Sequence, residues 1–302
     1  MSITTQLLER VTRTTPVGLR FWDSLSGQVV RDGLQVSAAL ELQPQRPAHV
    51  TLTPSGVFSI SEVPGLLAFE RPLDNADPWT SPLPSQRLLV QVRDAFGRFV
   101  PFCVRITAPV RGLWSLPFDS PVGVSPTVPL FSAPTRPVPG GVGVVRAQLV
   151  DPTATSSQGQ GGPAAWAVLE ASVPGQPAVR SIADDQGRVA LLVPYPPPSS
   201  VPLAGVGGSP LIGTSPAALP LSEQTWLLSI RAAYAPRAGL GGLPELVETL
   251  QQPAALVWAD QARTHLLDQV ELRYGRETVL TSRDPSGRSQ PSVLFIQAGS
   301  PL

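Results

Sequence analysis

The chain has 302 residues, with 22 basic and 22 acidic side chains that cancel to a formal net charge of +0. That balance leaves no basic surplus to displace the counterions of a nucleic acid, so the electrostatic case for such a partner is absent. Proline supplies 36 residues, about 12% and more than twice the usual ~5%, yet a hydrophobic share of 42% excludes wholesale disorder; the composition predicts a folded, loop-rich chain with room for two ordinary domains.

Residues 3–13 place Ile3, Leu7, Leu8 and Val11 at the spacing of a short amphipathic helix. A helix of that length is marginal alone and needs a surface to dock on, so 1–15 reads as an N-terminal docking segment. From Val17 the period becomes two. Leu19 and Phe21, then Leu34, Val36 and Ala38, alternate as strand residues do, with turn chemistry at Ser26-Gly27 and Asp32-Gly33. Val50-Thr-Leu52 leads into a turn at Thr53-Pro-Ser-Gly56, a strand from Val57 to Ile60 and a stop at Pro64-Gly65. Two further strands, Arg87 to Val92 and Phe99 to Ile106, flank a turn at Asp94-Ala-Phe-Gly97.

Between 117 and 139 a proline recurs every few positions, from Pro117 through Pro126 and Pro134 to Pro139. Prolines that dense are incompatible with a helix interior or a central strand and predict an extended connector. After Gly140-Gly141 the pattern restarts: Val142 to Val150, Trp166 to Leu169, a tight turn at Asp184-Asp-Gln-Gly187, a strand from Arg188 to Val193, a second Pro/Gly/Ser loop over 196–223, and a strand from Trp226 to Ala232. Beyond it, Pro244-Glu-Leu-Val-Glu-Thr-Leu250 begins like a helix, with proline in the first turn and acids near the start. Val270 to Tyr274, Gly275, and Thr278 to Thr281 read as a hairpin, and Ser292 to Ile296 as a last strand.

The expected fold class is therefore mainly β: two tandem β-sandwich domains over 16–112 and 141–238, a Pro-rich linker over 113–140, and a C-terminal extension over 239–302 made of a short helix plus a hairpin. An internal repeat supports the pairing of the two domains. Pro54-Ser-Gly56-Val-Phe-Ser-Ile60 matches Asp185-Gln-Gly187-Arg-Val-Ala-Leu191, and Leu89-Val-Gln-Val-Arg93-Asp-Ala-Phe96 matches Leu227-Leu-Ser-Ile-Arg231-Ala-Ala-Tyr234. A longer loop in the second copy absorbs the difference between the two intervals, 37 residues from Gly56 to Arg93 and 44 from Gly187 to Arg231.

Reactive constellations are scarce. All 22 basic residues are arginine, so a phosphate loop has no lysine. Gly140-Gly141-Val142-Gly143 lacks the third glycine of a dinucleotide loop, with Arg146 in its place, and no G-x-S-x-G elbow occurs. His49 and His265 are far apart and lack metal-ligand spacing, so His265 reads as a surface or packing residue. Cys103 is the single cysteine, inside the apolar run Phe102-Cys103-Val104, and reads as a small buried hydrophobe suited to a reducing compartment. Asp184-Asp185 offers either a calcium ligand pair or a turn that bonds its own backbone, and the following Gly187 favours the turn. Of Trp22, Trp79, Trp114, Trp166, Trp226 and Trp258, the strand residues Trp166 and Trp226 are expected in the core. No catalytic, cofactor-binding or metal-binding residues are assigned, and no cofactor is expected. The start of the chain lacks the apolar core and cleavage site of a signal peptide, and no apolar run approaches the ~18–20 residues of a membrane helix, so the cytoplasm is the expected location.

The segment Thr53-Pro-Ser-Gly-Val-Phe-Ser-Ile-Ser-Glu-Val-Pro-Gly65 resembles the turn, glycine, aromatic strand and Pro-Gly element of carboxypeptidase-regulatory-like, transthyretin-like β-sandwich modules. The second copy, Asp184 to Pro194, departs from that pattern in lacking the glycine after its proline. The resemblance implies a non-catalytic module for adhesion, scaffolding or assembly. The whole layout, with its short N-terminal segment, two β modules, the joiner Pro134-Thr-Arg-Pro-Val-Pro-Gly140 and the stretch Pro163 to Glu170, also resembles accessory structural proteins of phage-tail-like contractile injection systems. That likeness implies partners among sheath, tube, cap or baseplate proteins, a homo-oligomeric ring, no nucleic acid and no membrane span. A carbohydrate- or ligand-binding β-sandwich module is the alternative; an enzyme is the third reading, disfavoured by the missing nucleophile motif and metal cluster.

Overall fold

Alternation of apolar and polar residues governs most of the chain, and the protein is mainly β, with 48% of the described residues in strands and 5% in helices. The computed structural model describes residues 13–72, 77–79, 84–117, 127–154, 161–197, 220–236, 242–283, 289–290 and 293–299. The helix expected over 3–13 and most of the loop over 196–223 lie outside the described residues.

The first half supplies β1 (Val17–Leu19), β2 (Phe21–Asp23), β3 (Leu34–Leu40), β4 (Gln43–Leu52), β5 (Phe58–Ser61), β6 (Gln86–Asp94), β7 (Phe102–Ala108) and β8 (Val128–Leu130), with a single-turn helix α1 (Leu67–Glu70). Six strands form an antiparallel sheet in the order β1-β5-β4-β3-β6-β7, and β2 pairs in parallel with β8. Strand β4 begins at Gln43, earlier than its sequence indicates, because a register irregularity at Ala39/Leu40 lets Pro44 and Pro47 enter the strand. Phe21, Ile60, Phe102 and Leu130 are fully buried in the core between these layers, each stabilising the fold by about 1.5–3 kcal/mol. Residues 127–133, expected within the extended Pro-rich linker of 113–140, are part of this unit: Val128, Leu130 and Phe131 are buried in the same core. Pro129 fits there because β8 pairs with only one strand, where a missing N–H is tolerated.

The second half supplies β9 (Val142–Asp151), β10 (Gly162–Pro163), β11 (Val168–Ser172), β12 (Val179–Ile182), β13 (Arg188–Pro194), β14 (Thr225–Ala233), β15 (Ala254–Trp258), β16 (Gln269–Arg273), β17 (Glu277–Val279), β18 (Ser282–Arg283), β19 (Ser289–Gln290) and β20 (Leu294–Ala298), with α2 (Leu246–Leu250) between β14 and β15. The main path runs β10-β9-β20-β15-β14-β11-β12, while β13 and β17 pair with β9 and β16 pairs with β14. The strands after residue 239 are therefore interior to this sheet: β15 joins β14 to β20, and β20 joins β15 to β9. The hairpin expected at 270–281 turns at Gly275, which has φ 67°, but its second strand pairs in parallel with β9.

The sequence repeat is also a repeat of topology. In the first half β1 pairs antiparallel with β5, β3 with β4 and β6, and β6 with β7. In the second half β9 pairs antiparallel with β13, β11 with β12 and β14, and β14 with β16. The turns correspond bond for bond. Thr53 N donates to Val57 O at 2.8 Å and Gly56 N to Thr53 O at 2.9 Å; Asp184 N donates to Arg188 O at 2.8 Å and Gly187 N to Asp184 O at 3.0 Å. The first side chain of each turn accepts the same backbone N–H, Thr53 Oγ1 from Val57 at 3.1 Å and Asp184 Oδ1 from Arg188 at 2.8 Å. Both turns need a left-handed glycine, with φ 80° at Gly56 and 73° at Gly187.

The two halves are clasped together. Trp166, Val168 and Ile182 from the second half, and Leu246 from α2, are buried in the first core. The strand-like stretch before α2 covers the edge of β7: Cys103 N donates to Pro244 O at 2.8 Å, and Cys103 pairs in parallel with Glu245. Glu245 then caps α2, accepting from Glu248 N at 2.7 Å, while Arg105 on β7 reaches Glu41 at 2.9 Å and Glu248 at 2.5 Å. Covering an edge in this way removes a row of unpaired backbone groups that otherwise invites non-specific pairing.

Candidate functional site

An open groove of about 370 Å³ lies on the second sheet. It forms because β14 changes partners along its length. Thr225 to Ser229 pair with β16, whereas Ala232 and Ala233 pair with β15. Between those stretches the segment leading into β16 wedges in, with Ile230 N donating to Asp268 O at 2.7 Å and Leu267 N to Val257 O at 2.8 Å. The fork opens a cleft whose walls carry Leu250, Leu256 and Leu266, with Glu170, Arg231 and Asp268 at its margins.

Its setting is apolar and exposed. Leu256 and Leu266 keep 46% and 45% of their surface exposed, and Leu227, on the outward face of β14, keeps 55%. Leu256 and Leu266 line the groove, while Leu227 lies outside it. The charges around it are divided. Arg180 Nε donates to Glu170 Oε2 at 2.6 Å, while among the described residues Arg231 and Asp268 have no ion pair.

Elsewhere the polar groups hold the fold. Asp23 receives a two-pronged contact from Arg136, at 2.8 and 2.7 Å, together with Leu25 N and the Ser26 hydroxyl. Burial alone raises a carboxyl, but the Arg136 bonds and these neighbours outweigh it and hold Asp23 below its ordinary range. Asp94 follows the same rule with Arg98, whose guanidinium also lies 4.9 Å above the Phe96 ring. Tyr234 donates to buried Asp151 at 3.0 Å; burial, then the Asp151 charge, pushes its phenol up. Asp260 accepts from Thr264 N, His265 N and His265 Nδ1, and its carboxyl is pulled down to about 2, first by the Thr264 N–H and also by His265, against a smaller desolvation effect.

The residues singled out from sequence do not converge. His49 is exposed on β4 and His265 belongs to the Asp260 loop. Cys103 is buried under the Leu243–Glu245 stretch, with its Sγ 3.6 Å from Leu243 O. Asp184 is the acceptor of its own turn and pairs with Arg188 at 2.8 Å, while Asp185 beside it is exposed. Trp166 and Trp226 are buried as expected, and Trp22, Trp79, Trp114 and Trp258 are half-buried, so no described tryptophan stands fully exposed as a stacking platform. Gly143 is in β9, where an added Cβ would lie 2.8 Å from Leu272, and Arg146 pairs with Glu277 at 2.8 Å while donating to Pro134 O. Among the described residues no group of three or more His, Cys, Asp or Glu is arranged to hold a metal ion, and no helix is long and apolar enough to cross a membrane.

No protein-family model matches the chain, and no curated protein matches it. The forked groove was missed from sequence because Leu250, Leu256 and Leu266 come from α2, β15 and the loop before β16. The available signal was strand alternation with leucine on the exposed phase, as in Ala254-Ala-Leu-Val-Trp258.

Proposed function

We propose that this chain is a non-catalytic structural subunit of a large protein assembly, an adaptor of the kind expected in the cap, adaptor or baseplate region of a phage-tail-like contractile injection system. One observation carries the reading: an open cleft of about 370 Å³ exposes Leu256 and Leu266, while Asp23, Asp94, Asp151 and Asp260 are engaged in internal contacts. A surface of that kind suits contact with other subunits. The clasp between the two halves supports the same reading, because a body held together by a shared core transmits position and load between neighbours.

The carbohydrate-binding alternative draws no support from the aromatic residues, since Trp166 and Trp226 are buried and the other four tryptophans are half-buried. The test is genetic and structural. Deleting the gene is expected to leave incomplete tubes or sheaths in the producing cells, and full-length protein restores complete particles. Unchanged particles in the deletion strain would refute the proposal.

A further inference from the structure

We draw no further inference here: the strongest candidate, the apolar cleft where β14 passes from β16 to β15, lined by Leu250, Leu256 and Leu266, is an open face of the second sheet, and nothing in the structure shows what covers it.

Discussion

Replacing Arg136 by Met tests whether the proline-rich stretch is part of the first core. Arg136 and Asp23 have side chains only 13% and 7% exposed, and their two contacts are 2.8 and 2.7 Å long. Removing one partner of a buried pair leaves a charge in a poorly solvated site and costs about 3–5 kcal/mol. Asp23 retains Leu25 N and the Ser26 hydroxyl, so the lower end is expected, about 3 kcal/mol at pH 7. Loss of the guanidinium from above Phe99, 5.0 Å from the ring centre, adds to the cost. Asp23→Asn combined with Arg136→Met removes both charges and is expected to recover most of the loss. Urea unfolding followed by tryptophan fluorescence supplies the comparison.

The pH dependence has a definite sign. Asp23 is held below its ordinary value in the folded chain, so the contribution of the pair is present above the unfolded carboxyl value of about 4 and is lost as pH falls through the lower folded value. The gap between wild type and Arg136→Met therefore shrinks on acidification. A cost below about 1 kcal/mol at pH 7, or one that stays constant down to pH 2, would refute the reasoning.

The paired turns predict unequal penalties. Gly187→Ala places a Cβ 2.3 Å from Leu149 O at φ 73° and is expected to destabilise by more than about 2 kcal/mol, whereas Gly56→Ala meets side chains alone, flexible Arg31 at 2.9 Å and Val29 at 3.3 Å, and is expected to cost about 1 kcal/mol, both read from urea midpoints. Leu246→Ala empties a fully buried position where α2 enters the first core, and a loss of about 2–5 kcal/mol is expected in thermal or urea unfolding. Tyr234 has its phenol raised above the ordinary 10.0, so its contribution is fully present below about pH 10 and is lost as pH rises toward the folded value. Tyr234→Phe is expected to flatten that alkaline loss, at a cost of about 1–2 kcal/mol near neutrality from the unmet Asp151 oxygen; unfolding midpoints from pH 8 to 11.5 check both.

Local chemistry made much of the fold readable. The turns at Gly56 and Gly187 follow from a bonding side chain three residues before a glycine, and the strands that flank them follow from period-two alternation. The repeat read from Leu89 to Phe96 and Leu227 to Tyr234 reappears in β6 and β14, each antiparallel to an earlier strand of its own half. The readings that fell short depended on distant partners. Val179 to Ile182 is too short to stand out beside Pro174 and Pro177, and becomes β12 only by pairing with β11. Ala254 to Trp258 looked like a tail, yet it completes the sheet between β14 and β20. The contact of Pro244 and Glu245 with β7 joins residues about 140 apart in sequence, and nothing local encodes it. The groove escaped notice for the same reason, since pairing choices along β14 create it.

The central claim is that this protein works through the surfaces it presents to other subunits. The most direct measurement is electron cryo-microscopy of particles recovered from producing cells through an affinity tag on the full-length chain. The account predicts contractile particles in which this β-rich body occupies one defined position against sheath, tube or baseplate subunits. Recovery of the chain free of any particle, as a species that binds glycans or turns over a substrate, would contradict it.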